Sequence, residues 1–175
     1  MAENGFIRDM LDVKVLILYV TSLTERPVDV QDLYALCFQD DRLTYFDVCE
    51  AVPQLVASGH LAETDGKLEI TPKGRENILI TEDSVAFPVR ERAKAAAQRF
   101  NKESARNDRL HTAVVEHDGN FSATMELHDS FGKLMALEIT APNKKQARNL
   151  EAAFRRCAER LYAAVMDDLM QEVEE

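Results

Sequence analysis

The stretch that decides the fold is residues 60–72, which read His60-Leu61-Ala62-Glu63-Thr64-Asp65-Gly66-Lys67-Leu68-Glu69-Ile70-Thr71-Pro72. Two short segments flank Asp65-Gly66, and an Asp-Gly pair in that position is a strong signal for a two-residue β-turn. Thr71 and Pro72 then match the start of a helix, with a capping hydroxyl and a proline at the first helical position. The stretch therefore predicts a β-hairpin followed directly by a helix.

Three helices are predicted before the hairpin. The first is an apolar, buried helix over residues 10–20, and Asp29 caps the second. Thr44 caps the third, with Asp47 at the capping-box position, and this helix ends at Gly59. We expect its core side to be formed by Phe46, Cys49, Val52, Leu55 and Val56. Three helices, a hairpin and a fourth helix in this order predict a winged helix-turn-helix domain over residues 1–80.

The second half of the chain predicts a different arrangement. Residues 81–88 lack periodicity and are interpreted as a linker, and residues 89–106 form an alanine-rich helix. Three antiparallel strands follow over residues 110–117, 121–128 and 133–140, the first two joined by Asp118-Gly119. A long helix capped by Asn143 runs to about residue 173. The expected fold class is α+β: a winged helix-turn-helix domain, then a helix, a three-stranded antiparallel sheet and a long C-terminal helix, with residues 89–175 as the second domain.

The long C-terminal helix also predicts a homodimer. It is about 45 Å long at 1.5 Å per residue, whereas an eight-residue strand covers about 27 Å. Apolar side chains continue beyond what the sheet can cover, so we expect a second copy of the chain to cover them. The predicted interface residues are Leu150, Phe154, Leu161, Val165 and Leu169.

Composition and charge indicate the cellular compartment and the class of partner. The net charge is −10, and the three cysteines are widely spaced, which is typical of reduced cysteines in a reducing compartment. No apolar run is long enough for a membrane span, and no signal peptide is visible. We expect a cytoplasmic protein without a membrane partner.

The sequence offers no catalytic constellation. The glycines are assigned to turns and helix ends, which leaves none for a phosphate-binding loop. His111 and His117 lie about 20 Å apart on one strand, too far to share a metal ion. We expect no enzyme activity, no cofactor and no metal site.

DNA binding receives conflicting support from the charges. Residues 1–80 hold 7 lysines and arginines against 14 aspartates and glutamates. The solvent side of the third helix carries no cation, whereas affinity for DNA depends largely on cations. Residues 89–106, by contrast, hold six cations against two acids, with Arg92, Arg99 and Arg106 at seven-residue spacing. These cations indicate either a solvated helix face or a surface that contacts phosphates.

The residues near the hairpin also carry a resemblance. Residues 55–61 followed by residues 68–74 look like the recognition-helix exit and wing of many bacterial winged-helix regulators. Nearly the full chain resembles a family of winged-helix proteins of unassigned function, found mainly in Gram-positive anaerobes. The further matching points are residues 16–19 and Tyr45-Phe46 in the first half, and residues 137–139 and 161–162 in the second half. The resemblance implies a winged helix with a C-terminal α/β appendage and a role in transcription. It implies no ligand and no catalytic residue.

Two functions of different class follow from these observations. The first is a homodimeric winged-helix transcriptional regulator that binds double-stranded DNA. Its recognition-helix contacts would be Thr44, Tyr45, Asp47, Ala51 and Gln54, its wing contact Lys67, and its backbone contacts Arg92, Arg99, Lys102 and Arg106. The second is a winged helix that binds a protein partner through its acidic face and does not bind DNA directly.

Overall fold

Helix α1 (Met10–Leu23) is the buried centre of the first of two units. The computed structural model describes residues 7–38 and 42–171, and the chain divides into the units Met1–Lys102 and Glu103–Glu175. Asp9 caps α1 by accepting hydrogen bonds from the backbone N–H groups of Leu11 and Asp12. The helix packs against the next two helices and against the helix that follows the hairpin, so it is apolar around most of its circumference.

Helices α2 (Val30–Cys37) and α3 (Tyr45–Ala57) begin at the predicted caps. The Asp29 carboxylate accepts the backbone N–H of Asp32 at 2.8 Å. At α3, Thr44 and Asp47 form the reciprocal capping box: Asp47 N donates to Thr44 Oγ1 at 3.3 Å and Thr44 N donates to Asp47 Oδ2 at 2.8 Å. Both predicted helix starts are therefore confirmed.

The core side of α3 differs from the prediction. The buried residues are Val48, Ala51, Val52 and Leu55, whereas the side chain of Phe46 is 83% exposed. Positions i, i+3, i+4 and i+7 form the continuous stripe of a helix with 3.6 residues per turn, and that stripe passes through Ala51. The expectation that Phe46 lies in the core was wrong, and so was the expectation that Ala51 faces solvent.

The hairpin is present where the sequence predicts it. Strands β1 (Leu61–Thr64) and β2 (Lys67–Ile70) pair antiparallel, with Thr64 opposite Lys67. Asp65 and Gly66 both have positive φ, 50° and 74°, as the tight two-residue turn requires. Helix α4 (Pro72–Thr81) follows at once, with the Thr71 hydroxyl accepting the N–H of Gly74.

The segment assigned to a linker is ordered, and the helix after it belongs largely to the first unit. A short 3₁₀ turn (Glu82–Ser84) leads into helix α5 (Phe87–Asn107). Val85, Val89 and Ala93 are buried in the same core as α1. The division into units falls after Lys102, inside α5, because packing rather than a change of periodicity decides which core a helix joins.

The second unit is a three-stranded antiparallel sheet with one long helix. Strands β3 (Leu110–His117), β4 (Asn120–His128) and β5 (Lys133–Ala141) are ordered β3-β4-β5, and helix α6 (Lys144–Gln171) packs against all three. The sheet and its order confirm the prediction. The predicted helix end near residue 173 lies outside the described residues. The core combines strand and helix residues, namely Leu110, Ala123, Met125, Leu127, Met135, Ala141, Ala147, Phe154 and Ala158.

The predicted dimer residues on α6 fall into two groups. Phe154 is buried in the core of its own unit, and Leu150 and Leu161 pack against that core. Val165 and Leu169 are 38% and 60% exposed. The assignment of Phe154 to a dimer interface was wrong because this side chain is already buried between α6 and the sheet of its own unit.

Candidate functional site

The exposed side of α3 is the candidate interaction surface of the first unit. It is apolar and acidic: Phe46 is 83% exposed, Tyr45 is 44% exposed, and Glu50, Pro53 and Gln54 are also exposed. Helix α3 contains no lysine or arginine. A side chain as large and apolar as Phe46 in contact with water is the most unusual feature of this surface.

Aromatic rings extend this surface beside the start of α3. The ring of Tyr34 contacts the ring of Phe38 with centroids 5.6 Å apart, and the ring of Tyr45 edge-on at 5.5 Å. Phe38 is itself 51% exposed. A side-chain hydrogen bond with Cys49 raises the pKa of Tyr45. We call Tyr34, Phe38, Tyr45 and Phe46 the aromatic surface.

The residues predicted to contact the major groove are only partly available for it. Tyr45 and Gln54 are exposed, whereas Ala51 is fully buried and cannot contact a ligand. Thr44 and Asp47 are bound to each other: the Thr44 hydroxyl donates to Asp47 Oδ2 at 2.7 Å in addition to the backbone bonds of the cap. A contact from either side chain to a base would compete with the helix cap.

The cation at the hairpin turn is paired within the unit. Lys67 Nζ lies 3.0 Å from Asp29 Oδ2. Asp29 also accepts the N–H of Asp32, and these two interactions, the backbone bond first, lower its pKa. Asp29 therefore stays ionised and offsets the charge that Lys67 would bring to a phosphate.

The four predicted phosphate contacts on α5 differ in exposure and in ion pairing. Arg92, Arg99 and Lys102 are exposed. Arg106 belongs to the second unit, where its guanidinium donates two hydrogen bonds to Glu159, each 2.7 Å long. This pairing lowers the pKa of Glu159. Three of the four predicted contacts are thus exposed, while the fourth, Arg106, is held in a bidentate ion pair.

The second unit holds a cluster that the sequence analysis missed. His111 lies opposite Glu126 in the β3–β4 register, and His128 follows two residues after Glu126. His128 Nε2 is 2.9 Å from Glu126 Oε2, and the other oxygen, Oε1, accepts a hydrogen bond from Lys133. These contacts, that of Lys133 first, lower the pKa of Glu126. The signal was available, since the Asp118-Gly119 turn places His111 opposite Glu126 and residues i and i+2 of a strand share a face; the sequence prediction tested only His111 and His117 as a metal-binding pair and left out His128.

Comparison with known proteins identifies the chain at the level of family. Residues 13–169 match the family described as "Domain of unknown function (DUF4364)". The chain belongs to this family. The match spans both units, which confirms the expected resemblance to a family of unassigned function over nearly the full length. The winged-helix fold, the bacterial source and the regulatory role that the resemblance implied stay predictions.

For this DUF4364 member, no curated protein and no solved structure gives a match. The family description names no substrate, partner or reaction, so the surfaces described above are the basis for assigning one. Among the described residues, no helix combines the length and the apolar character that crossing a bilayer requires.

Proposed function

We propose that this DUF4364 chain is a winged-helix protein that acts by binding another protein through the aromatic surface at the start of α3. The observation that carries the proposal is the 83% exposure of Phe46 on a helix side without any cation. The partner surface should combine an apolar pocket for the phenyl ring with basic groups that meet Glu50.

The winged-helix assignment is supported by a third segment beside the hairpin. Val28, between α1 and α2, pairs with Leu68 of β2 through two backbone hydrogen bonds. Val28 N donates to Leu68 O at 2.9 Å and Leu68 N donates to Val28 O at 2.7 Å. The order is therefore helix, bridging segment, two helices and hairpin. A three-helix core bordered by a small antiparallel ribbon is the arrangement expected of a winged helix.

A protein partner fits the α3 side better than a DNA groove does. DNA presents phosphates at a density of one negative charge per ~1.7 Å of helix axis, so Glu50 and Asp47 would meet repulsion there. Protein interfaces, in contrast, are enriched in aromatic residues, and burying one phenylalanine side chain contributes about 1.5–3 kcal/mol. Aromatic side chains near the centre of an interface commonly dominate the binding free energy.

Affinity capture from the source cells tests the proposal with a matched pair of variants. Phe46→Glu replaces the most exposed ring of the aromatic surface with a charge. Phe131→Glu is the control, because Phe131 is another phenylalanine, 97% exposed in the β4–β5 turn. We expect the wild type and Phe131→Glu to retain the same protein in stoichiometric amount and Phe46→Glu to lose it. Equal recovery by both variants contradicts the proposal.

DNA binding is the second candidate because three of the predicted phosphate contacts are exposed on one helix of the first unit. Arg92 and Arg99 are seven residues apart, and Lys102 follows within one turn. If these three groups contact phosphates, log K should fall with log[salt] with a slope of roughly −3, since each contact contributes about −0.9. Retention of genomic fragments at about 100 mM salt and its loss in a variant with all three changed to Gln would favour this candidate. No retention at low salt would eliminate it.

We also propose that the chain forms a homodimer through the end of α6. Val165, Met166, Leu169 and Met170 are 38%, 39%, 60% and 58% exposed and lie on the last turns of the helix. Asp167 and Asp168 border these side chains, whereas Arg156 and Arg160 lie one to three turns earlier. An antiparallel pairing of two such helices places the acidic end of one beside the basic part of the other, which favours a two-fold arrangement.

A further inference from the structure

We propose that His111, Glu126 and His128 form a binding site for a divalent transition-metal ion, with Zn²⁺ as a suitable ion, on the face of the sheet opposite α6. One ligand atom from each residue lies within 4.8 Å of the other two. The site is independent of the interaction surface on α3, which belongs to the other unit.

The strand pairing holds the three side chains on one face. His111 and Glu126 are directly opposite in the antiparallel β3–β4 register, so their side chains project to the same side. His128 is two residues beyond Glu126. The backbone N–H of His128 donates to Arg109 O at 2.8 Å, which keeps the end of β4 paired with the chain just before β3. The rings of His111 and His128 are 4.5 Å apart between centroids. The sheet thus sets the backbone positions of all three residues before any ion binds.

Helix α6 packs against the opposite face of the sheet. The side chains of His111, Glu126 and His128 are therefore not part of the core beneath that helix. Thr112, the next residue after His111, points to the helix, where its hydroxyl donates to Glu151 and accepts hydrogen bonds from Arg155. Met125 and Leu127, on either side of Glu126, are buried in the core under α6. Because side chains alternate along a strand, the histidines and Glu126 face away from that core.

The donor set and the spacing suit a zinc-like ion. Two imidazoles and one carboxylate are ligands that favour Zn²⁺ and related transition metals over Mg²⁺ or Ca²⁺, which prefer oxygen ligands. Bonds of about 2.0–2.1 Å in a tetrahedral site place ligand atoms about 3.4 Å apart. His128 Nε2 and Glu126 Oε2 are already 2.9 Å apart, so the approach requires modest side-chain rotation. His111 is exposed and the other two are half-buried, so an ion can enter and keep a water ligand.

Lys133 lies beside the proposed site, and its hydrogen bond is to the oxygen of Glu126 that would not bind the ion. Its ammonium group donates to Glu126 Oε1, whereas Oε2 is the oxygen next to His128. Glu126 can therefore bind an ion through Oε2 and keep its contact with Lys133. An ion pair of this kind holds the carboxylate in place, as hydrogen bonds to metal-ligating carboxylates commonly do.

Zinc titration of the untagged full chain, prepared free of metal, tests the site. We expect one equivalent of Zn²⁺ to bind, and His111→Ala and His128→Ala each to weaken binding at least about tenfold. His117→Ala is the matched control, since His117 lies six residues from His111 on the same strand and face, and its affinity should stay within about twofold. Replacement of Zn²⁺ by Co²⁺ adds an absorption spectrum that reports nitrogen and oxygen ligands as opposed to thiolates.

Three results would overturn the proposal. They are the absence of saturable binding by the wild type, equal affinity in all three histidine variants, and a Co²⁺ spectrum with thiolate charge-transfer bands. Far-UV circular dichroism of the metal-free variants shows whether each one folds. If an alanine variant does not fold, Glu126→Gln decides, because it preserves the side-chain size and removes the anionic ligand. A Glu126→Gln affinity equal to that of the wild type contradicts the proposed site.

Discussion

Tyr19 carries a polar group into the core of the first unit without a partner for it. Its side chain is 3% exposed, and its hydroxyl makes no hydrogen bond within the part of the chain that the structure describes. Burial raises the pKa of Tyr19, although the nearby charges of Lys94 and Arg90 act in the opposite direction. Thr21, two residues later, is also buried, but its hydroxyl donates to Ile17 O at 2.8 Å.

The contrast between Tyr19 and Thr21 predicts opposite effects of removing the hydroxyl. Tyr19→Phe should raise the free energy of unfolding by about 0.5–1 kcal/mol, because a buried hydroxyl without a partner costs its desolvation. Thr21→Val, the control of similar shape, should lower it by about 1 kcal/mol because a satisfied hydrogen bond is lost. Urea unfolding of the three proteins measures both values. A loss of stability in Tyr19→Phe as large as that in Thr21→Val would contradict the expectation.

At the scale of an element, helix α4 depends on one close approach. A Cβ atom at Gly74 would lie 2.3 Å from His60 O and 2.8 Å from Ile70 Cγ1. The same carbonyl of His60 accepts a hydrogen bond from Thr71 N at 3.1 Å, at the start of α4. Glycine is required at position 74 because a side chain would collide with the backbone of His60, just before β1, and not because the backbone is left-handed. This close contact holds α4 against the hairpin.

We therefore predict that Gly74→Ala destabilises the protein although alanine is the better helix former. The gain in helix propensity is about 1 kcal/mol, whereas forcing a methyl group against backbone costs about 1–3 kcal/mol or more. The control Glu76→Ala, at an exposed position of the same helix, should change stability by no more than about 0.5 kcal/mol. Thermal and urea unfolding give the comparison, and stability gained in Gly74→Ala would show that the His60 contact yields easily.

At the scale of the whole molecule, charge is distributed unevenly along the chain. The sequence before α5 is acidic, and it contains the aromatic surface proposed to bind a protein. The exposed cations of α5 and the basic first half of α6 follow later in the chain. An overall charge of −10 therefore does not describe any one surface, and partner class has to be argued from each surface separately.

The proposed homodimer gives a prediction at this scale. The wild-type chain should sediment as a dimer at micromolar concentration, and Val165→Asp combined with Leu169→Asp should yield a monomer with unchanged circular dichroism. Placing two acids in an apolar contact leaves buried charges without partners, which costs several kcal/mol. Phe131→Asp, which removes an exposed apolar side chain elsewhere, should leave the mass at that of the dimer. A monomeric wild type would refute the pairing.

Local chemistry was sufficient to predict where most elements begin, end and turn. The capping box of Thr44 and Asp47, the turns at Asp65-Gly66 and Asp118-Gly119, and the antiparallel order of β3, β4 and β5 were all predicted from residues a few positions apart. These features depend on hydrogen bonds and backbone angles that neighbouring residues settle among themselves. On α3, Tyr45 and Gln54 are exposed as predicted, whereas Ala51 is not.

Tertiary packing alone decided which side of α3 faces the core and which unit α5 joins. Two apolar stripes of α3 fit the helical period, and packing selects the stripe through Val48, Ala51, Val52 and Leu55, which buries Ala51 and exposes Phe46. The pairing of Lys67 with Asp29 joins residues 38 positions apart in the sequence. Such contacts depend on how segments that are distant in the sequence pack against each other. Periodicity and capping patterns describe only residues that are close along the chain.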